Sequence, residues 1–237
     1  MIRGVLVKTT LVDYPGKVAA AYFMSGCNLY CPYCYNVELV ENTLPKEDST
    51  SPKEVIAHLQ KRKAVLGGIT LSGGEPLIHK ELPEFITEIK KIGISVKLDT
   101  NGMLPEKLEQ LFEKPETTPD FVALDVKTAP KRYKELARDR ENDSNYTKNI
   151  QKTIAIVSRM APENREFRTV LVPPLIDTKD IEAIAQLLPK DASWQFANFR
   201  AENCLNKEYN NISPYTETKI NELILYAQSF IKGAELR

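Results

Sequence analysis

Short apolar segments alternate with amphipathic helical patterns along this chain, and that alternation limits its fold more than any other feature. Such alternation is typical of parallel strands joined by right-handed helical crossovers. About six units are too few to close an eight-stranded barrel. The predicted fold is therefore α/β, an open partial TIM-like barrel of about six βα units. The predicted strands are residues 18–24, 68–71, 94–98, 121–127, 167–172 and 194–199.

Two local signals mark helix boundaries. Ser51, Pro52 and Glu54 form a capping-box pattern at the start of one helix. Gly93 ends another helix, in which apolar residues recur at helical spacing. The charge-dense run 131–145 predicts an exposed helix and loop.

Three of the four cysteines follow the first predicted strand directly, at Cys27, Cys31 and Cys34. Thiolates are soft ligands that select iron–sulfur clusters, zinc or cuprous ions. A cubane cluster normally takes four cysteines, so three would leave one iron open for a small molecule. Cys204 lies far along the chain and reads as a buried or free thiol.

A structural zinc knuckle is the alternative interpretation of these cysteines. Structural zinc sites usually contain two short-spaced ligand pairs. The sequence has no second pair, because His58 and His79 each stand alone. The spacing therefore favours an incomplete, reactive iron–sulfur cluster, and a zinc site remains the alternative interpretation.

Polar residues also follow the next two predicted strands, where parallel α/β folds place their chemistry. Paired glycines at Gly73 and Gly74 permit close approach of a ligand to the backbone, and Glu75 offers an acceptor for an ammonium group. Asp99 and Asn101 follow the third strand. An ordinary turn is the alternative for both segments; the position of Gly73 and Gly74 one strand after the cysteines favours a functional role there, whereas Asn101-Gly102 fits a simple turn about equally well.

Asp125 and Lys127 lie two residues apart on the fourth predicted strand and therefore share one face. Inside a barrel they cannot both remain unpaired without a large energetic cost. They either pair with each other or contact a polar cofactor. Arg168, on the fifth strand, either neutralises a carboxylate or reaches solvent.

Composition excludes several partner classes. Acidic and basic residues balance at 32 each, and no basic stripe favours nucleic acid or a membrane surface. No segment reads as a signal peptide or a membrane span. Clustered cysteines without further pairs predict a reducing cytoplasm. The length fits a single domain covering residues 1–237.

The cysteine spacing, with the aromatic Tyr33 before the last cysteine, resembles the cluster motif of the radical S-adenosylmethionine (SAM) superfamily. The run from Thr10 to Cys34 is similar to glycyl-radical-enzyme activating proteins, especially activators of anaerobic ribonucleoside-triphosphate reductase. The segment from Trp194 to Leu205 resembles the same group. Tyr35 stands where many relatives carry histidine, and a histidine found near the sixth strand of some relatives is absent.

This resemblance implies a cofactor set and a ligand for each motif. Cys27, Cys31 and Cys34 would hold a [4Fe–4S] cluster, while Gly73, Gly74 and Glu75 would bind the amino group of SAM. The remaining implied cofactor contacts are Asp99 and Asn101, Asp125 and Lys127 at the ribose and carboxylate, and Tyr33 and Tyr35 over the cluster and adenine.

The implied activity is that of a radical SAM oxidoreductase that generates a glycyl radical on a partner enzyme, with anaerobic ribonucleotide reductase as the expected partner. A low-potential electron donor is the other implied partner. Two alternatives stay open: a radical SAM enzyme acting on a small molecule or on another glycyl radical enzyme, and a non-catalytic zinc-binding module.

Overall fold

A computed structural model describes residues 2–138 and 145–237. Eight strands form one sheet in which the spatial order follows the chain order. The first two strands pair antiparallel, and the pairs β2–β3, β3–β4, β6–β7 and β7–β8 are parallel. The strands are β1 (Gly4–Thr10), β2 (Ala19–Met24), β3 (Gly68–Gly73), β4 (Ser95–Thr100), β5 (Phe121–Asp125), β6 (Arg165–Leu171), β7 (Trp194–Asn198) and β8 (Ala234–Leu236).

Helices connect most of the parallel strands. The α-helices are α1 (Val37–Glu41), α2 (Pro52–Arg62), α3 (Leu82–Lys91), α4 (Pro105–Leu111), α5 (Tyr146–Val157), α6 (Thr178–Ala185) and α7 (Glu217–Gln228). Short 3-10 helices cover Pro76–Ile78, Pro130–Leu136, Pro162–Asn164 and Lys207–Asn211. The capping box at Ser51 and Glu54 is present, and Gly93 ends α3 with a positive φ of 86°, so both predicted boundaries are confirmed.

Contacts divide the chain into two compact units. Unit 1 comprises residues 1–28, 38–100 and 106–122. Unit 2 comprises residues 29–37, 101–105 and 123–237.

In unit 1, β2 is buried on both faces, as its run of small apolar residues requires in a parallel sheet. The Tyr22 ring meets the Phe85 ring of α3 edge-on, with centroids 5.9 Å apart. Met24 lies opposite Gly73 in the parallel register of β2 and β3. The loops that follow these two strands therefore leave the sheet side by side.

In unit 2, the aromatic residues of β6 and β7 form the core. Phe167, Trp194 and Phe196 are fully buried, and the Trp194 indole donates a hydrogen bond to Thr169 Oγ1 at 3.0 Å. The backbone N–H of Val126 donates to the carbonyl of Arg168 at 2.8 Å. This bond places Arg168 beside the end of β5.

The α/β fold class and all six predicted strands are confirmed, but the strand count was too low. The sequence interpretation missed β1, which has no regular alternation of exposure, and β8, which has three residues. The predicted exposure of residues 131–145 is wrong for Tyr133 and Leu136, which are fully buried. Residues 139–144 of that run lie outside the described residues.

No helix within the described ranges is both long and apolar enough to cross a membrane.

Candidate active site

The cysteine loop lies between β2 and α1. Cys27 belongs to unit 1, and Cys31 and Cys34 belong to unit 2. None of the three forms a disulfide with another described residue; Cys31 is buried and the other two are half-buried. Within residues 2–138 and 145–237, no three His, Cys, Asp or Glu side chains are grouped as a metal site.

In unit 2, the second half of the loop is a tight turn. The backbone N–H of Cys34 donates to the Cys31 carbonyl at 3.0 Å. Burial raises the pKa of the Cys34 thiol above its ordinary value, because a thiolate there loses solvation. A positive metal centre would reverse that cost by stabilising the thiolate.

A late segment of unit 2 is bonded to the same turn. The N–H groups of Leu205 and Asn206 donate to the carbonyls of Cys34 and Pro32, each at 2.9 Å. Cys204, just before them, is fully buried and free, which confirms the sequence interpretation of this thiol. The backbone of the cysteine turn is thus fixed by residues near the other end of the chain.

The Gly73–Gly74 turn of unit 1 is packed against the backbone that precedes Cys27. A Cβ atom on Gly74 would lie 1.9 Å from the carbonyl oxygen of Gly26. Gly73 has a φ of 109°, and a Cβ there would lie 2.3 Å from the backbone nitrogen of Met24. The N–H of Glu75 donates to the Gly26 carbonyl at 2.9 Å. Only glycines permit this approach.

Glu75 is fully buried in unit 1, and its carboxylate is held by two donors. Its Oε1 atom accepts from the Leu77 N–H at 3.1 Å and from Thr100 Oγ1 at 2.9 Å. A buried carboxylate that is fixed in this way is pre-oriented for a cationic ligand. Thr100 was not among the residues predicted from the sequence.

Asp99 of unit 1 is paired with a cation that the sequence interpretation missed. Lys97 Nζ lies 2.6 Å from Asp99 Oδ1, and Ser72 Oγ donates to Asp99 Oδ2 at 2.9 Å. The Lys97 side chain is almost fully buried and its ammonium also lies 5.9 Å from the centre of the Phe121 ring. Lys97 therefore neutralises Asp99 inside the unit.

Asn101 of unit 2 forms a turn. Its Oδ1 atom accepts from the Met103 N–H at 3.0 Å. Gly102 follows with a φ of 80°, and a Cβ there would lie 2.8 Å from side-chain atoms of Leu124 and Ile150. The turn that the Asn-Gly pair favours is therefore present, and a cofactor contact by Asn101 stays a prediction.

Asp125 of unit 2 is shared between two cations. Arg168 Nε lies 2.7 Å from Asp125 Oδ1, and Lys127 Nζ lies 3.2 Å from Asp125 Oδ2. Burial raises the pKa of the Asp125 carboxyl, but Arg168 and Lys127 outweigh burial and hold that pKa well below its ordinary value. Burial lowers the pKa of Lys127, and the Asp125 carboxylate more than reverses that effect. Arg168 thus neutralises a carboxylate, the first of its two predicted roles.

Two tyrosines of unit 2 lie near this cluster. Tyr133 Oη accepts from the Lys127 N–H at 2.9 Å. Tyr33 is buried, its hydroxyl has no hydrogen-bond partner among the described residues, and burial raises its pKa. Tyr35, by contrast, is 61% exposed.

These residues fit a [4Fe–4S] cluster and SAM by the chemistry of their donor sets. The cysteine loop offers three reduced cysteines, and soft thiolates are the ligands of such clusters. Unit 1 adds a buried carboxylate at Glu75, and unit 2 adds an orphaned hydroxyl at Tyr33 beside the Asp125–Lys127 pair. Each group matches a polar or charged part of SAM.

Comparisons of the sequence with known proteins agree with this chemistry. The sequence profile of the Radical SAM superfamily matches residues 21–188. The chain is 30% identical over 236 residues to the “putative glycyl-radical enzyme activating enzyme” of Methanocaldococcus jannaschii, covering 98% of this chain and 94% of the relative. It is 35% identical over 119 residues to the pyruvate formate-lyase 1-activating enzyme of Escherichia coli K12, covering 49% and 48% of the two chains.

Solved structures share the fold. A structure of TYW1 with a lysine–pyruvate adduct bound superimposes with a TM-score of 0.61 at 14% identity, covering 90% of this chain and 74% of that one. Streptococcus suis SuiB bound to S-adenosylmethionine gives a TM-score of 0.58 at 16% identity, covering 89% and 47%. At such identities the likeness concerns the fold alone.

Proposed function

We propose that this chain, which belongs to the radical SAM superfamily and within it to the glycyl-radical-enzyme activating enzymes, generates a glycyl radical on anaerobic ribonucleoside-triphosphate reductase. The single observation that carries the enzyme class is the near full-length similarity to an activating enzyme. The choice of reductase rests on the sequence resemblance at Thr10–Gly16 and Trp194–Leu205.

Membership of this family defines the general chemistry. The enzyme is a radical SAM oxidoreductase, its cofactors are a [4Fe–4S] cluster and SAM, and activating enzymes act on glycyl radical enzymes. When bound and reduced, the cofactor pair supplies a 5′-deoxyadenosyl radical that removes a hydrogen atom from a backbone glycine. The protein contributes binding, orientation and exclusion of water.

In this proposal Cys27, Cys31 and Cys34 ligate the cluster and leave one iron open. Support comes from their spacing and from their reduced state in the described residues. Cys204 stays outside the ligand set, because it is fully buried and its sulfur lies near the carbonyls of Arg200 and Glu202.

Gly73, Gly74 and Glu75 receive the amino group of SAM. The tight glycine turn supports this role because it brings the backbone of Gly74 close to the loop before Cys27. The Glu75 carboxylate is already fixed by the hydrogen bond that it accepts from the Leu77 N–H. Asp99, near the end of β4, and Asn101, directly after β4, are further residues that contact the cofactor. Lys97 Nζ pairs with Asp99 Oδ1 at 2.6 Å and holds this carboxylate in place.

Asp125 and Lys127 receive the ribose and the carboxylate of SAM. Their side chains are 30% and 19% exposed, so both groups remain accessible to a ligand despite their ion pair. Tyr33 covers the cluster and adenine from a buried position, and Tyr35 does so from an exposed one. An exposed aromatic ring gains burial when a ligand covers it.

The proposal extends to the cellular context. The chain acts as a single domain, residues 1–237, with a low-potential electron donor as its second partner and with no nucleic acid or membrane partner. The balanced charge supports the last point. Four cysteines that form no disulfide among the described residues support a reducing cytoplasm.

A second candidate partner is pyruvate formate-lyase. Pyruvate formate-lyase-activating enzymes of Escherichia coli and Listeria monocytogenes match about half of this chain at 35–36% identity. Both partner enzymes present a glycine, so the chemistry at the cofactor would be the same and only the docking surface would differ.

Electron paramagnetic resonance distinguishes the two partners. Reduced, reconstituted protein and SAM are mixed anaerobically with either anaerobic ribonucleotide reductase or pyruvate formate-lyase from the same host. We expect a glycyl doublet with the reductase that requires all three components and is absent with the Cys31→Ala variant. A doublet with the lyase alone would replace the reductase as partner, and SAM cleavage without a protein radical would favour a small-molecule substrate.

A further inference from the structure

Five charged side chains of unit 2 form an ionic chain of alternating sign. The cations are Lys127, Arg168 and Arg237, and the anions between them are Asp125 and Glu166. The successive nitrogen–oxygen distances are 3.2, 2.7, 3.8 and 3.7 Å.

Asp125 is the branch point of this chain, because each of its oxygens faces a different cation. Oδ1 faces Arg168 Nε, and Oδ2 faces Lys127 Nζ. A carboxylate that is divided in this way neutralises neither partner completely. Without Arg168, Asp125 and Lys127 would form a one-to-one ion pair with no charge left over.

Arg168 itself is held from two sides. Glu166 lies two residues earlier on β6, on the same face, and its side chain is only 7% exposed. Arg237 Nη1 lies 3.7 Å from the same Glu166 Oε1 atom that Arg168 Nη1 approaches at 3.8 Å, and the Arg237 N–H donates a 2.8 Å hydrogen bond to the Phe196 carbonyl of β7. The guanidinium of Arg168 is therefore placed by residues of β6 and of the chain end.

We propose that Arg168 is a positioning residue that divides Asp125 between two cations and thereby leaves the Lys127 ammonium free to bind the carboxylate of SAM. This inference rests on the proposed function, in which Lys127 meets that carboxylate. The exposure of Lys127 and Asp125 supports it, because a closed structural ion pair would not need to remain reachable.

The test compares two ligands on two variants of the reconstituted full chain. SAM and decarboxylated SAM differ by the carboxylate that Lys127 would bind. Arg168→Gln should weaken SAM binding about tenfold, equivalent to about 1.4 kcal/mol. The same variant should change the affinity for decarboxylated SAM by less than about twofold. Anaerobic calorimetry measures both affinities, and iron content should stay as in the wild type.

Arg132 provides the matched control. It also lies in unit 2 and pairs with carboxylates, at 2.8 Å from Glu135 and 2.9 Å from Asp180. Arg132→Gln should lower the temperature of unfolding without changing either affinity. Arg168→Lys keeps the charge, so it should recover most of the SAM affinity that Arg168→Gln loses.

The outcomes separate this inference from the proposed function. Absence of SAM binding to the wild-type protein would overturn both. Wild-type binding combined with an equal effect of Arg168→Gln on both ligands, or with no effect on either, would overturn only the role of Arg168. If Arg168→Gln fails to fold, equal losses of both ligands in Arg168→Lys would likewise count against it.

Discussion

The candidate site residues of the two units are held by different physical means. In unit 1, contacts between backbones fix the Gly73–Gly74 turn, and the carboxylates of Glu75 and Asp99 are buried with their partners in place. In unit 2, Asp125, Lys127 and Arg168 are each 19–30% exposed and carry opposing charges. The candidate residues of unit 1 are thus fixed by close packing, and those of unit 2 carry charges that a ligand can reach.

This difference teaches what each half can tolerate. A site made by close packing of backbone fails when volume is added, because main-chain atoms cannot move aside cheaply. A site made of partly exposed charges tolerates volume but responds to the loss of one charge. Substitutions in unit 1 should therefore affect folding, and substitutions in unit 2 should affect ligand binding.

The largest effect is expected from Gly74→Ala. The added Cβ would meet the Gly26 carbonyl at 1.9 Å, so the turn must move, with a loss of about 3 kcal/mol in the free energy of unfolding. Gly16→Ala is the control, because nothing lies within 4 Å of its Cβ and only its φ of 70° is unfavourable. That control should cost about 1 kcal/mol. Equal losses in denaturant titrations would refute the packing argument.

Lys97→Met should come next, at about 3 kcal/mol of lost stability, because it leaves the Asp99 carboxylate buried without its cation. Lys90→Met removes a more exposed pair with Asp120, at 3.4 Å, and should cost less than about 1 kcal/mol. Chemical denaturation of both variants provides the measurement. A wild-type-like Lys97→Met would mean that Asp99 readily accepts a proton.

Lys127→Ala should weaken ligand binding instead of folding, in contrast to Lys97→Met. It removes a partly exposed charge from unit 2, so the protein should fold and retain its iron while SAM binding weakens about tenfold or more. Calorimetry on the anaerobic protein, with iron analysis in parallel, measures both. Unchanged affinity would remove Lys127 from the site and would reduce the contrast between the units to one of stability.

Tyr33→Phe should weaken SAM binding without lowering the stability of the cofactor-free protein. Removing a buried hydroxyl without a partner should leave the cofactor-free protein as stable or up to about 1 kcal/mol more stable, while SAM binds about fivefold more weakly. Tyr215→Phe is the control, because its hydroxyl donates to carbonyls of Pro173 and Ile176. That variant should lose about 1 kcal/mol of stability and keep its affinity.

The smallest effect concerns pH. The folded-state pKa of Asp125 is depressed, so its stabilising contribution is complete above the ordinary carboxyl range and is lost as pH falls. The stability difference between wild type and Asp125→Asn should be constant above about pH 5 and should shrink below about pH 4. Unfolding experiments across that range test the sign. A difference that grows on acidification would contradict it.

The sequence predicts most of the fold because continuous apolar runs mark the strands that are buried on both faces. The all-apolar run of β2 is an example. β1 was missed because it is an antiparallel edge strand in which three consecutive residues, Val7, Lys8 and Thr9, are exposed, so its exposure does not alternate. Tyr133 was missed because a run dense in charge hid one buried ring that contacts the Lys127 backbone.

Site residues were predictable where a local motif carries the chemistry and unpredictable where pairing is long-range. Glu75 stands in a recognisable turn, but its partner Thr100 is 25 residues away. Lys97 is a different case, because it lies two residues before Asp99 on β4, the same spacing as Asp125 and Lys127, so the same-face argument could have found this pair. The pairing of Arg168 with Asp125 could not be predicted without knowing that β6 lies beside the end of β5. Alternation along the chain does not by itself reveal such cross-strand pairs.

The hydrogen bond from Leu205 to the Cys34 carbonyl has a consequence for biosynthesis. The cysteines leave the ribosome long before Leu205, so the turn that carries Cys31 and Cys34 gains this support only after residue 205 has emerged. Contacts so distant in sequence form late, because a long loop must close first. A nascent chain would therefore expose soft thiols until residue 205 is available, and the machinery that delivers iron would meet a finished binding loop only after that point.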